Sequence, residues 1–511
     1  MSQVEDAKTS TDLKREASMG QYDRGTKSSE EARLEQLGYA QELPREFSIW
    51  SMMALCMCLM ATWEALSAVL SSAIVAGGAP CLFYNYVLSF LCTIAITCSL
   101  GQIASIYPTA GGQYHWVAAL APSSNRSAAA WFTGWISIGG QVVLTASAAF
   151  AAALQIQGLA VLNNGNYAPE RYQATLIFWL ILIYSALMNI WGHKLLPTVN
   201  LLSAVLHVLG FLAILITLAV MAHKNDSSFV FVDFMNSSGW SNDGVSWLVG
   251  LLSAVYPFLG YDAACHLAEE IPNASRNVPV AMVGSSVLNG LIGFAYCIML
   301  LYCTSPIDDL FTTPTGFPFM QIFLYATNSN AGATILSLAI TLTAIAATVA
   351  GVASTSRTVW AFARDSVTPF HRSLSKVDGH NEMLLGFIYL GNSTAFNAIL
   401  AMAIIGMYLS YILLHGRSKL SSAEYGPFKL GKVLGITLNL ISIVWLIVSI
   451  VFSTFPSAMP VTAATMNYSS VVMAGWMAFG TVYYFVWGKK SFRIPEVRMS
   501  DVVVGVQISE K

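Results

Sequence analysis

Two carboxylates lie inside long apolar stretches of the sequence, where a charged side chain is costly. Asp262 ends the segment Tyr256-Pro-Phe-Leu-Gly-Tyr-Asp262, and Glu64 is the only charged residue from Phe47 to Ala76. A carboxylate at membrane depth costs several kcal/mol unless it faces a polar interior, so it marks a functional-site hypothesis. We expect Glu64 and Asp262 to share a solute-binding cavity. The structural alternative is a protonated or hydrogen-bonded packing residue.

The segment around Asp262 also contains two residues that interrupt helices. Pro257 has no amide proton, and Gly260 accepts dihedral angles that other residues avoid. Irregular backbone survives in a bilayer only where protein or a water-filled cavity satisfies the freed amides and carbonyls. This pattern predicts a discontinuous helix that holds a substrate. A proline-kinked packing helix is the alternative.

Aromatic and polar residues accompany the carboxylates. Aromatic ring faces attract ammonium groups, which favours a cationic or amine-bearing solute, although rings in membrane helices are also ordinary packing. Gln141 is a further polar candidate for the lining of the site. The predicted substrate-binding residues are Thr62, Trp63, Glu64, Gln141, Tyr256, Phe258, Gly260, Tyr261 and Asp262.

A histidine lies in another apolar stretch, between Leu206 and Val208. An intramembrane histidine titrates near physiological pH and can carry a proton. A histidine bonded to a neighbouring carbonyl is an equally good interpretation of His207. The predicted proton-coupling residues are Glu64, His207 and Asp262.

The composition excludes several classes of protein. The chain has 511 residues, 55% hydrophobic and 10% charged, whereas soluble domains carry about 25% charged residues. Its net charge of −2 argues against nucleic acid as a partner. Eight scattered cysteines form no zinc or disulfide pattern, and no enzyme motif is present, so we expect a non-enzyme without cofactor or metal.

Apolar runs near the ~20 residues that a helix needs to cross a bilayer predict about 11–12 transmembrane helices. Residues 1–45 are polar and lack a signal-peptide pattern, so they are interpreted as a disordered cytoplasmic tail. We number the first eight runs as spans one to eight; a disputed region and two last spans follow them. They are Phe47–Ala76, Leu82–Ile106, Ala128–Leu162, Ala174–Trp191, Leu201–Ala222, Val245–Leu267, Val278–Cys303, Ala333–Ser354, the disputed Met383–Leu414, Val433–Phe455 and Thr465–Trp487.

The lysines and arginines fix the expected orientation. Alternation from a cytoplasmic N-terminal tail places Lys194, Arg276, residues 357–376 and Lys489 inside, and leaves the opposite loops nearly free of such charges. One region does not fit this number of membrane spans. Met383–Leu414 offers only about 32 residues where two spans need about 40, so we expect a truncated ninth helix, a half-helix or an incomplete gene model.

Three segments of the chain carry distinctive motifs. They are Tyr107-Pro-Thr-Ala-Gly-Gly-Gln-Tyr-His-Trp116, Phe258-Leu-Gly-Tyr-Asp262 with Glu269-Glu270-Ile-Pro-Asn273, and Ser356-Arg357 with Ala361-Phe-Ala-Arg-Asp365. The first resembles the loop after the second helix of the amino acid–polyamine–organocation permeases, the second resembles their sixth helix and the following loop, and the third resembles the loop after their eighth helix. From about residue 43 to 490 the chain is most similar to the fungal amino acid/choline transporter branch, which includes GABA, choline and polyamine permeases.

The resemblance implies an all-α integral membrane protein with a LeuT-like bundle. It would comprise two inverted five-helix repeats, residues 46–222 and 245–414, two peripheral helices at 433–488 and a cytoplasmic tail at 489–511. It also implies proton-coupled uptake by alternating access. Six charged residues of the cytoplasmic loops could form a gate, or only a solvated cluster: Glu269, Glu270, Arg276, Arg357, Arg364 and Asp365.

One departure from the family bears on the substrate. Many amino acid permeases have a glycine-rich break in the first helix that holds a carboxylate, but this chain has Thr62-Trp-Glu-Ala65 there. This disfavours capture of an α-carboxylate and favours a solute whose ammonium group meets Glu64. We expect import of a small amine-bearing solute such as an amino acid or GABA, with protons, across the plasma or vacuolar membrane. A choline or polyamine permease and a non-transporting nutrient sensor are the alternatives.

Overall fold

The computed structural model describes residues 29–304, 307–375, 426–462 and 466–492. Among these residues, 29–41 belong to one compact unit and 42–492 to a second. The described part of the first unit contains one helix, Ser29–Gln36. The second unit contains all the elements discussed below. Across the described ranges the secondary structure is helical, without a β-strand.

Long helices form the body of the second unit, and shorter ones lie between them. The long helices are Ile49–Met60, Thr62–Ile106, Arg126–Asn163, Arg171–Ile190, Leu196–Met221, Ala274–Tyr302, Asn330–Arg364, Lys432–Ser453 and Ser469–Tyr483. The shorter ones are Gln113–Leu120, His193–Leu195, Ser227–Phe231, Asp243–Val249, Leu252–Val255, Tyr256–Phe258, Ala263–His266, Ala268–Glu270, Ile307–Phe311, Pro318–Thr327, His371–Leu374, Tyr484–Gly488 and Lys489–Ser491.

The predicted membrane spans are confirmed within the described residues. Nine segments there are long and apolar enough to cross a membrane. The first segment, Ile49–Ile106, contains the first two predicted spans. Gly77 and Gly78 leave helical geometry and separate the two spans. Gly78 has φ +74, and a Cβ there would lie 3.2 Å from the carbonyl oxygen of Asp233, so glycine suits this turn.

The remaining eight segments correspond to the third to eighth spans and to the two last spans. This confirms the all-α membrane fold. Residues 383–414 lie outside the described residues, so the truncated ninth helix stays a prediction. The division into two inverted repeats also stays a prediction.

Close helix packing holds the core of the bundle. A Cβ on Gly290 of the seventh span would overlap the ring of Phe90 in the second span. In the same way, a Cβ on Gly134 of the third span would overlap Phe362 at the end of the eighth. Since interiors are packed at the density of organic crystals, such contacts leave little freedom between helices. These contacts hold in place the helices that carry the polar residues.

Candidate functional site

The first span is broken near its middle, at a residue that is not glycine. The helix Ile49–Met60 ends at Ala61, which has left-handed dihedral angles (φ 41, ψ 50), and a new helix starts at Thr62. A left-handed alanine costs about 1–2 kcal/mol. The Ala61 amide donates to the Met57 carbonyl (2.9 Å), which also accepts from Nδ2 of Asn289 (3.1 Å). The seventh span therefore supports the break.

The break places the beginning of a helix in the buried interior of the second unit. No side chain caps the helix that starts at Thr62. The first amides of a helix lack intrahelical partners, and together with the helix dipole they favour negative charge. Glu64 lies in this first turn. The missing glycine thus does not prevent the break, and the amides that could hold a carboxylate are present.

Glu64 is paired with the histidine predicted to carry a proton. Nδ1 of His207 lies 2.8 Å from Oε1 of Glu64, and the two side chains are 0% and 2% exposed. Within the described part of the chain, Oε2 of Glu64 and Nε2 of His207 have no hydrogen-bond partner. A buried polar atom without a partner costs free energy. The pair is therefore one bond short on each side and could accept a further polar group.

An aromatic cluster lies beside this pair. The ring of Trp63 lies 5.8 Å from the His207 ring, 5.1 Å from Tyr296 and 6.4 Å from Phe211. The hydroxyls of Tyr296 and Ser67 are 2.6 Å apart. Trp63 thus presents an aromatic surface next to the Glu64 carboxylate.

The sixth span is also broken, as predicted. Helix Leu252–Val255 leads into the tight turn Tyr256–Phe258, and the chain becomes helical again only at Ala263. Gly260 has φ +112, and a Cβ there would lie 2.8 Å from Cγ of Leu59. Glycine is required for both reasons. Since Leu59 lies two residues before Ala61, the two breaks are in direct contact.

The aromatic residues of the second break do not gather around one position. Tyr256 bonds Ser147 through its hydroxyl (2.8 Å). The ring of Phe258 packs on Tyr86 and stacks on Phe90 of the second span, with centroids 5.1 Å and 5.9 Å away. Packing therefore accounts for Phe258. Tyr261 is fully buried, and its backbone carbonyl accepts from a thiol of the first span.

Asp262 belongs to a second polar centre with its own partners. Its Oδ2 accepts from Nε2 of Gln113 (2.8 Å) and Nε2 of Gln141 (3.1 Å), and Nε2 of His266 lies 3.5 Å from the same oxygen. The structure thus brings the predicted Gln141 to Asp262. The sequence analysis missed Gln113 and His266. The four-residue spacing of Asp262 and His266 could have signalled one of them, since such residues share a helix face.

Four of the six predicted gate residues form two ion pairs, which we call the gate cluster. Arg357 binds Glu270 through Nε (2.8 Å) and Nη2 (3.3 Å). Arg364 binds Glu269 through Nη1 (3.0 Å) and Nη2 (2.9 Å). Exposures of 0–11% rule out the solvated-cluster interpretation for these four. Both pairs use two parallel bonds, the strongest arrangement of arginine and carboxylate.

The other two predicted gate residues lie outside the ion pairs. Asp365 accepts from the hydroxyl of Tyr114 (3.0 Å), whereas Arg276 is exposed. The gate cluster also bonds the backbone of the loop after the second span, because the Ala110 amide donates to Oε1 of Glu269 (3.0 Å). Nearby, burial and, secondarily, Arg364 lower the pKa of His115 to about 3, so His115 is neutral at physiological pH.

A helical bundle with two broken spans in contact, each next to a buried carboxylate, defines a membrane permease. The family model of the amino acid permeases matches residues 47–479. The chain is 32% identical to a choline transporter of Saccharomyces cerevisiae, over 89% of this chain and 83% of the relative. It is 34% identical to a putative amino acid/polyamine transporter of Macrophomina phaseolina, over 81% and 95%. The amino-acid permease BAT1 of Arabidopsis thaliana is 29% identical, over 91% and 96%.

The chain belongs to the amino acid permease family. It is a multi-pass membrane transporter for small molecules and not an enzyme.

Proposed function

We propose that the chain imports a small amine-bearing solute across the plasma membrane and that Glu64 binds its ammonium group. The buried Glu64 carboxylate carries this proposal, because its Oε2 has no hydrogen-bond partner among the described residues. Trp63 is adjacent in sequence, and a cation over a tryptophan face gains about 0.5–2 kcal/mol. Thr62 lies at the same break.

The amides at the start of the Thr62 helix would receive an anionic end where the solute has one. An amino acid or GABA would span from these amides to a carboxylate, whereas choline or a polyamine would use the carboxylate and the rings alone. The name of the relative in Saccharomyces cerevisiae favours the second group, whereas that of the relative in Macrophomina phaseolina covers both. Choline, putrescine and GABA are therefore the solutes to compare first.

We propose that uptake is coupled to protons and proceeds by alternating access. The candidates for the proton site are His207 with Glu64, which share a hydrogen bond, and the second buried carboxylate, Asp262. The gate cluster would separate during inward opening, because its partners belong to the eighth span and to the segment after the sixth. Tyr256, Tyr261 and Gly260 would shape the second break rather than contact the ammonium group.

The test is uptake of labelled solute by yeast that lacks its own choline and amino acid permeases. Glu64→Gln keeps the size of the side chain and removes its charge. We expect it to abolish saturable uptake while the protein still reaches the cell surface. Glu42→Gln changes an exposed glutamate in the same way and should transport normally. Normal uptake by the Glu64 variant would refute the role of Glu64 as the ammonium site.

A further inference from the structure

His266 lies between two oxygen atoms, one on each side of its ring. Its Nδ1 is 3.3 Å from the carbonyl oxygen of Ala110, and its Nε2 is 3.5 Å from Oδ2 of Asp262. The side chain is fully buried. A neutral imidazole has one donor and one lone pair, whereas an imidazolium has two donors. Nε2 has no hydrogen-bond partner among the described residues, so a proton bound there would face the Asp262 carboxylate and give the ring its second donor.

The Asp262 carboxylate is not fully bonded either. Its Oδ2 accepts from the amide groups of Gln113 and Gln141, whereas its Oδ1 has no hydrogen-bond partner among the described residues. A His266 ring with its only proton on Nδ1 turns a lone pair toward Oδ2, and a second proton on Nε2 removes this repulsion. His207 differs in that its carboxylate partner faces Nδ1, while its Nε2 forms no ion pair within the described part of the chain.

The charges around His266 also favour a positive ring. Two of the three acids on its own segment are bound by the two arginines of the eighth span, which leaves the charge of Asp262 for His266. On the loop after the second span, His115 is neutral for the reason given above. The first span brings the thiol of Cys56 near Asp262, and Arg276 of the seventh span is exposed. The groups that determine the balance are Asp262, Glu269, Glu270, Arg357 and Arg364.

We propose that His266, together with Asp262, is the binding site of the coupled proton; this inference rests on the proposed proton-coupled uptake. Ala110 connects the site to the gate cluster, because its carbonyl faces His266 and its amide donates to Glu269. The proton is held while the gate cluster is closed. When the contact with Ala110 breaks and cytoplasmic water enters, the ring loses one of its two acceptors and releases the proton inside.

The test compares His266→Gln with His207→Gln in uptake measured from pH 5 to pH 7.5, the range in which histidine titrates. Glutamine keeps a donor but cannot titrate. We expect the His266 variant to lose the acid stimulation of uptake, with the substrate KM changed less than about threefold. It should still exchange labelled for unlabelled solute across the membrane, because exchange needs no net proton movement. The His207 variant also loses the partner of Glu64, but the uptake that remains should keep its acid stimulation.

The outcomes separate the inference from the proposed function. A wild-type protein without saturable, acid-stimulated uptake would refute proton coupling itself, before any variant is considered. Acid stimulation that persists in the His266 variant, or disappears only in the His207 variant, would overturn the inference and leave the proposed function standing.

If the His266→Gln protein fails to reach the membrane, a second measurement tests the inference. The His207→Gln protein can then be labelled with ¹⁵N-histidine and studied by solid-state NMR in lipid bilayers at pH 7.5, where exposed histidines are neutral. A persisting imidazolium signal supports a protonated His266. Only neutral rings in that spectrum would overturn it.

Discussion

Breaking one ion pair of the gate cluster should open the cytoplasmic end of the protein. Arg357→Ala removes two bonds to Glu270, whose side chain is only 6% exposed. Removing one partner of a buried ion pair costs about 3–5 kcal/mol, because the other charge stays buried and unpaired. If the pair exists only in the closed state, this cost falls on that state alone. One tenfold change in an equilibrium corresponds to about 1.4 kcal/mol, so the open population should rise at least about 100-fold.

The assay measures how fast a buried thiol near the second break reacts with a membrane-impermeant reagent. Cys265 is 1% exposed and lies between Asp262 and the gate cluster in sequence. A variant that retains Cys265 as its only cysteine is labelled in inside-out vesicles, where the cytoplasmic side faces the reagent. We expect Arg357→Ala to increase the labelling rate about 100-fold and to reduce the maximal uptake rate more than the affinity for solute.

Arg276→Ala is the matched control, since Arg276 is an exposed arginine a few residues after Glu270. It should leave labelling and uptake unchanged. Exchanging the charges of the pair, with Arg357→Glu and Glu270→Arg together, should slow the labelling again. Labelling at the wild-type rate in Arg357→Ala, or an equal increase in the Arg276 control, would refute the reasoning.

Two further predictions concern backbone geometry and a loop asparagine. Gly260→Ala should lower the thermal stability and the surface yield, because φ is +112 and the new Cβ would lie 2.8 Å from Leu59. Gly165 has open space around it, so Gly165→Ala should change neither the stability nor the yield. Asn236 begins a glycosylation motif, yet its Nδ2 donates to the Trp240 carbonyl and to Asp243. We expect it to carry no glycan, so glycosidase treatment should not change the mobility of the protein on a gel, and a shift that Asn236→Gln abolishes would contradict this.

The spans and their breaks could be predicted because each depends on local sequence. A bilayer sets the length of an apolar run, and Pro257, Gly260 and Asp262 disfavour a continuous helix within a few residues of one another. The first break shows the limit of this reasoning. Ala61 has no unusual helix propensity, and its position is set by contacts with distant elements, such as the bond from Asn289 to Met57. Only the charge of Glu64 marked that region.

The partners of the two carboxylates could not be predicted from sequence. Glu64 and His207 are 143 residues apart, and Gln113 and Asp262 are 149 apart, so helix packing alone decides these pairs. A glutamine in a loop carries no charge that would single it out, which explains why Gln113 was missed. The gate residues were easier to find, because arginines and glutamates at the ends of apolar spans are few.

The two polar centres differ in the hydrogen bonds that their carboxylates already accept, and this difference suits two separate roles. Oε1 of Glu64 has one hydrogen-bond partner, and its Oε2 is buried without a bond among the described residues. Asp262 also has one buried oxygen without a bond there, Oδ1, but its Oδ2 already has two amide donors and a histidine at 3.5 Å. A cation gains more at Glu64, where the Trp63 ring is adjacent, whereas an ammonium group that reached Oδ2 of Asp262 would have to displace donors that cost about 1–3 kcal/mol each. A proton on His266 adds to the network instead of breaking it. We therefore assign the cation to the first break and the proton to the second, and the contact between Gly260 and Leu59 lets occupancy of one centre affect the other.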